Sequence, residues 1–235
     1  LRLGIVSIAF NSAELILKQL ETFKSCTDDY DFIIIDNSND DASIKYHAEI
    51  NNCEYAKIHS HEGSPSLSHS FAADFAWIRY KAQYDVLFFV DHDLFPIKPF
   101  SIFEMLGENN LMGLSQERKG VKYLWPGCLA LRTSLDGVDF APVKIRHQQL
   151  DTGGSLHRLL KQPVRYLSEE YHNNPHVQDA KSFYAVLEDT FMHFIKGSNW
   201  NHQTNHTQRL NSLFNILEQR RNESRASSNS NGEVL

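Results

Sequence analysis

The chain has little cysteine, little excess positive charge and no long apolar run, and each shortage excludes something. Its three cysteines, Cys26, Cys53 and Cys128, lack metal-ligand spacing, and an odd number cannot all pair. The expectation is free thiols in a reducing, cytoplasmic compartment rather than a disulfide framework. Lysine and arginine total 23 against 29 aspartates and glutamates, a net charge of −6 with a pI near 6.0. A nucleic-acid backbone is therefore excluded as the main partner, since phosphate binding calls for clustered Lys and Arg. Apolar runs such as Phe32–Ile35 and Val86–Val90 fall far short of the roughly 20 residues that cross a bilayer, so no membrane span is expected. Leu3–Ala9 is apolar but lacks a basic flank and a small-residue cleavage site, so it does not read as a signal peptide. The 12 histidines are scattered without His-x₃-His spacing. No Pro/Gly linker divides the chain.

What is present is a globular composition, 41% hydrophobic and 22% charged over 235 residues, enough to bury a core without covalent staples. Leu3–Ala9, Phe32–Ile35, Tyr55–His59 and Val86–Val90 read as strands. Glu14–Lys24 (capped from Asn11-Ser12), a weaker segment at 43–51 and a long one from Ser66 or Ser68 to about Tyr84 read as helices. In the last, Phe71, Phe75, Ile78 and Ala82 form the expected apolar side. Strand–helix alternation with continuously apolar strands implies a parallel sheet covered on both faces, whose ligands bind beyond the carboxyl ends of the strands. Asp36 and Asp91-His92-Asp93 stand at two such ends. Further on, Gly120–Thr133 predicts one or two strands, Asp151–Gln162 a helix opened by Asp-Thr-Gly-Gly, Val164–Leu167 and Phe191–Ile195 strands, and Gln208–Gln219 an amphipathic helix. Arg220–Leu235 is polar enough for a disordered tail.

Asp91-x-Asp93 carries the chemistry. Two carboxylates at i and i+2 on a turn after a buried strand converge on the ligand crevice, and oxygen ligands of this kind suit Mg²⁺ or Mn²⁺ bridging to phosphates. The competing structural role is an acidic turn capping a neighbouring helix. For Asp36 it is a turn residue, for Asp151 a helix N-cap, for His193 a core histidine, and for Trp125 a packed core side chain.

In order along the chain, these features resemble the glycosyltransferases of the GT-A fold, family-2-like. Ser7-Ile8-Ala9-Phe10-Asn11 is similar to the opening strand and loop at the nucleotide site, and Phe32–Asp36 to a second strand ending in an acidic residue. Gly63 and the helix from Ser68 are similar to the segment leading to the metal strand, and Asp91-His92-Asp93 to the DxD motif. Trp125-Pro126-Gly127-Cys128-Leu129-Ala130 is similar to the strand beneath the sugar. The match runs roughly from Gly4 to Trp200. The resemblance implies an α/β fold, a single GT-A (Rossmann-like) domain over residues 1–220. Its mainly parallel central sheet is flanked by helices, with a C-terminal helix, and a disordered tail follows at 221–235. Residues 1–93 would be the nucleotide-binding half and 94–220 the sugar and acceptor half.

It further implies a metal-dependent, inverting transfer from a UDP- or GDP-sugar to a glycan or other hydroxyl acceptor. Asp93 would bind the Mn²⁺ or Mg²⁺ directly, Asp91 would reach ribose or metal, and His193 would be a third ligand. Ala9, Asn11, Asp36, Asp91 and His92 would line the nucleotide site, with His92 pointing away from the metal. Trp125 and Gly127 would floor the sugar pocket, and Asp151, 24 residues after Gly127, would be the catalytic base. The family's Glu-Asp pair is replaced here by Leu150-Asp151, and Glu188-Asp189 is a rival acidic pair. Three other readings stand beside this one: a haloacid-dehalogenase-like phosphatase, in which the first Asp attacks phosphorus, a non-catalytic nucleotide- or glycan-binding module of the same fold, and a nucleotidyltransferase. The phosphatase motif usually opens a chain and is followed by Thr or Val, whereas Leu94 follows here; no Gly-rich basic loop supports the nucleotidyltransferase.

Overall fold

The computed structural model describes residues 1–39, 42–59, 64–118, 120–145, 148–173, 183–195 and 206–230. The first half alternates as the sequence predicts: β1 (Leu3–Ala9), α1 (Ala13–Phe23), β2 (Tyr30–Asp36), α2 (Ala42–Ile50), β3 (Glu54–Lys57), α3 (Pro65–Tyr80) and β4 (Val86–Asp91). After β4 come β5 (Leu94–Pro96), α4 (Ile102–Leu106), β6 (Leu111–Arg118) and β7 (Val121–Arg132). The short strands β8 (Lys144–Ile145) and β9 (Gln148–Gln149) pair with each other, and a 3₁₀ helix spans Gly154–Lys161. The chain closes with β10 (Val164–Leu167), β11 (Glu169–His172), β12 (Tyr184–Leu187), β13 (Phe191–Phe194) and α5 (His206–Ser230).

The central sheet has seven strands in the order β10-β6-β7-β4-β1-β2-β3, and all run the same way except β7. Its core strands are buried on both faces and therefore mostly apolar, with Ser7 the polar residue inside β1. Ile5, Ile34 and Phe88 face α1, α2 and α4, whereas Val6, Ile33 and Phe89 face α3 and the 3₁₀ helix. A second, antiparallel sheet, β11-β12-β13-β5, packs with α5 through Phe95, Met192, Phe194, Leu213 and Leu217. The α/β class, the mainly parallel sheet and the C-terminal helix are as predicted.

Four expectations are corrected. On α3, Phe71 and Ile78 are exposed, and the buried side carries Ala72, Ala73, Ala76 and Trp77, because small residues let the helix approach the sheet closely. Its N-cap is Ser64, with Pro65 in the first turn. Asp151 caps nothing: the cap of the 3₁₀ helix is Gly153, at φ 80°. The tail expected from Arg220 onward is helical to Ser230, and Arg221 is buried where it reaches Glu21 and Glu218 at 3.2 and 3.5 Å.

Candidate active site

The turn between β4 and β5 is fixed from beneath by one side chain of α1. Gln19, fully buried, accepts a bond from the Ser7 hydroxyl at 2.6 Å and donates to the carbonyls of Asp91 and Leu94 at 2.7 and 2.9 Å. His92 is turned inward: its Nδ1–H donates to the Ile8 carbonyl at 3.0 Å and 4% of it is exposed. It ties the turn to the end of β1 instead of facing an open nucleotide crevice, and burial keeps its pKa down and its ring neutral.

Asp91 and Asp93 each meet an imidazole. The Asp91 Oδ1 accepts from His69 Nε2, on α3, at 2.8 Å. Burial alone pushes the Asp91 carboxyl upward, but His69, then His92 and His193, outweigh it and hold the group below the usual range. Asp93 lies 3.6 Å from His193 Nε2, too far for a hydrogen bond, and its carbonyl accepts from the Phe194 N–H at 2.9 Å. Burial lowers the His193 pKa to about 4 against the pull of Asp91, so the ring is neutral at pH 7 and one of its two nitrogens carries a lone pair.

β7 supplies the wall. Between Gly113 and Ser115 its pairing with β6 jumps from Leu129 to Leu124, so residues 125–128 leave the β6 ladder, as bulges beside binding sites commonly do, while Cys128 still pairs with Val90 of β4. Trp125 then lies on His193, ring centres 4.4 Å apart. Gly127 sits where a Cβ would strike the Trp125 ring and come within 2.5 Å of the Asp91 Oδ2. Only glycine leaves room for carboxylate and indole together.

Asp151 is brought up from the other side of the bulge. A Cβ at Gly153 would come within 2.8 Å of the Leu124 carbonyl and of Pro126, so the 151–154 turn is pressed onto β7. The Asp151 carboxylate pairs with Arg118 at 2.7 Å and accepts from the Ser66 hydroxyl, while Thr152 Oγ1 donates to the Ser66 carbonyl at 2.8 Å. The rival pair, Glu188-Asp189, forms the β12–β13 turn with both residues at positive φ, and a Glu188 oxygen accepts from the Ser168 N–H at 2.7 Å.

The ends of β1 and β2 form a separate loop cluster. The Ala9 carbonyl accepts from the Asn37 N–H, and Asn11, at φ 47°, donates its N–H to Ser38 Oγ at 2.7 Å. Asp36 is fully buried, with Oδ1 bonded to the Ser38 N–H and Oδ2 to the Tyr55 hydroxyl and Lys57 at 2.8 and 3.1 Å. It shapes this loop and does not present a free carboxylate.

The structure thus gathers Asp91, Asp93, His193, Trp125 and Gly127 and sets Asp151 across the first turn of α3, whereas Asp36 and His92 point into the protein. Gly63 and Trp200, where the matching stretch ends, lie outside the described residues. Sequence reasoning missed Gln19, Ser66, His69 and Arg118; the pair Ser64-Pro65 is the one local signal, since it fixes where the first turn of α3 begins. In donor chemistry the cluster fits a divalent cation: two carboxylates, one held ionised, and a neutral imidazole. Among the described residues no three His, Cys, Asp or Glu side chains already converge to hold one.

No family model and no curated protein matches the chain. Solved structures do. The crystal structure of S. aureus TarS aligns with 72% of this chain and 35% of its own at 15% identity, TM-score 0.48. The galactosyltransferase LgtC, in complex with donor and acceptor sugar analogs, aligns with 55% of this chain and 58% of its own at 14% identity, TM-score 0.40. An active-site mutant of LgtC aligns with 69% of this chain and 72% of its own at 14% identity, TM-score 0.48. The chain spans about a third of TarS and under three fifths of LgtC in the sugar-analog complex. Glycosyltransferases are therefore among the structures it resembles, at identities and scores too low to assign a function.

Proposed function

We propose that the chain is a metal-dependent glycosyltransferase that moves a sugar from a nucleotide-diphosphate sugar to a hydroxyl acceptor with inversion. One observation carries the reading: Asp91 and Asp93 stand at the carboxyl end of β4, beside a β7 bulge where the lack of a side chain at Gly127 leaves room for the Asp91 carboxylate and the Trp125 ring. Asp93 and His193, with Asp91, would hold Mn²⁺ or Mg²⁺, and the ion would act as a Lewis acid on the leaving diphosphate. Asp91 orients the ribose side of the donor. The Asn11–Ser38 loops edge the nucleotide, and Trp125 with Gly127 floors the sugar. Asp151 takes the proton from the acceptor hydroxyl, which requires it to exchange its Arg118 contact for that hydroxyl.

An aspartyl-phosphate nucleophile at Asp91 fits less well, because His69 already holds one of its oxygens. The pairing of Asp151 with Arg118 favours one second reading, a module that binds the nucleotide-sugar without transferring it.

Calorimetry with UDP and GDP, with and without Mn²⁺, tests the proposal. The protein should bind one of them only with metal, and Asp93→Ala should remove that metal-dependent affinity while the melting temperature stays close to the parent's. Equal affinity in parent and variant would exclude the assignment of Asp93. Metal-dependent binding without transfer to any hydroxyl acceptor would decide for the binding module.

A further inference from the structure

Two carboxylates that the proposed function employs differently are held by one helical turn. Ser66 and His69 are three residues apart, hence on one face of α3. His69 holds Asp91 at 2.8 Å, and Ser66 holds Asp151 through its hydroxyl and Thr152 through its carbonyl. Since an ionised carboxylate only accepts, His69 must present Nε2–H to Asp91, which leaves its Nδ1 as a buried nitrogen without a partner among the described residues.

The turn itself is braced on three sides. Ser64 caps it and Pro65 presets its backbone. Asn37, at the end of β2, donates to Ser68 Oγ at 2.7 Å. Ala72, Ala73 and Ala76 seat the rest of the helix against the sheet. Neither carboxylate has its place set by its own loop alone; both are referred to a helix whose repeat is rigid at 1.5 Å of rise per residue.

We propose that the first turn of α3 is a spacer that fixes the separation between the donor-side carboxylate Asp91 and the base Asp151, with His69 and Ser66 as its two positioning residues. The inference rests on the glycosyltransferase reading above and adds to it two side chains that touch neither the donor nor the acceptor in that reading. If the separation matters, loosening either end lowers turnover more than it lowers the binding of donor or acceptor, because bound groups held slightly out of place react slowly.

The test compares His69→Ala, His69→Gln and Ser66→Ala with the parent by Mn²⁺–UDP or Mn²⁺–GDP calorimetry, whichever nucleotide the parent binds, by steady-state transfer and by thermal melting. His69→Ala should lower kcat by about 10²-fold and weaken nucleotide affinity less, with the KM for acceptor unchanged. His69→Gln keeps an N–H donor and should recover most of kcat. Ser66→Ala should lower kcat while leaving nucleotide affinity as in the parent. Parent-like kcat in His69→Ala and Ser66→Ala would overturn the spacer while leaving the proposed function intact. Parallel losses of stability and of kcat, with no recovery in His69→Gln, would overturn it in favour of a merely structural histidine. If His69→Ala does not fold, His69→Gln and Ser66→Ala decide by the same readouts. A parent that binds neither nucleotide and transfers nothing would overturn both readings at once.

Discussion

The two acids that flank His92 live in different surroundings. Asp91 is about a quarter exposed and meets the imidazole of a helix 22 residues earlier, at hydrogen-bond distance. Asp93 is 4% exposed and faces, across a gap of 3.6 Å, the imidazole of a strand that enters from the far end of the chain. The first pair is closed by a hydrogen bond to an ionised carboxylate. The second is wider, its histidine neutral and packed against Trp125. A pair closed by a hydrogen bond is already aligned before any ligand arrives. A pair 3.6 Å apart is not aligned in this way.

Three variants separate these roles, taken from the largest expected effect downward. Asp151→Asn lies outside both pairs and gives the contrast its scale. Transfer at saturating donor should fall by about 10² to 10⁴-fold, the usual worth of a general base, with donor affinity unchanged. Near-parent turnover would remove Asp151 from the chemistry. His193→Ala opens the Asp93 side alone. Mn²⁺-dependent nucleotide affinity should drop by about 10-fold, one ligand of three to five having been lost, or about 1.4 kcal/mol, and nucleotide binding without metal should stay as it is. A fall in melting temperature without any change in metal dependence would make His193 a core residue.

The smallest effect concerns an acid on the same helix as His69 whose pKa moves the opposite way from that of Asp91. Burial raises the Asp74 carboxyl to about 6, despite the bond it accepts from the Phe140 N–H. A carboxyl with a higher pKa folded than unfolded favours the fold when protonated. Its contribution is therefore full below about pH 4 and lost as the pH rises through 6. Asp74→Asn keeps the acceptor and removes the charge, so it should be the more stable protein at pH 8, by about 1 kcal/mol after solvent screening is allowed for. The difference should vanish below pH 4. Melting curves from pH 4 to 8 check this, and a gap that does not change with pH would mean that Asp74 does not titrate in that range.

The same division governs what the sequence reveals. β1, β2 and β4 are legible because both of their faces are buried, so Phe32–Ile35 and Val86–Val90 appear as unbroken apolar runs and Leu3–Ala9 as one interrupted only by Ser7. Asp91 and Asp93 are legible by the same means, since the strand ends in them. β6 is not: Leu111–Leu114 is short, Ser115–Arg118 is polar, and the bulge opposite breaks the pattern. α3 misleads, because its large apolar residues are the exposed ones and its alanines face the sheet. His69, Ser66 and Arg118 acquire their meaning only through partners from distant segments, and no spacing announces such a pairing. Asp36 shows the reverse case: its position at the end of a strand is legible, but the three groups that enclose it are not.

Gln19 makes α1 and the β4–β5 turn a single mechanical piece. One amide with two hydrogens and one oxygen has all three engaged, by the Ser7 hydroxyl, the Asp91 carbonyl and the Leu94 carbonyl. Such a joint has no slack, since rotating the amide to relieve one bond breaks another. α1 is in turn clamped to α5, where Lys18 and Arg221 reach Glu218 and Glu21. The C-terminal helix is thereby linked, through α1 and the single side chain of Gln19, to the backbone that carries Asp91 and Asp93.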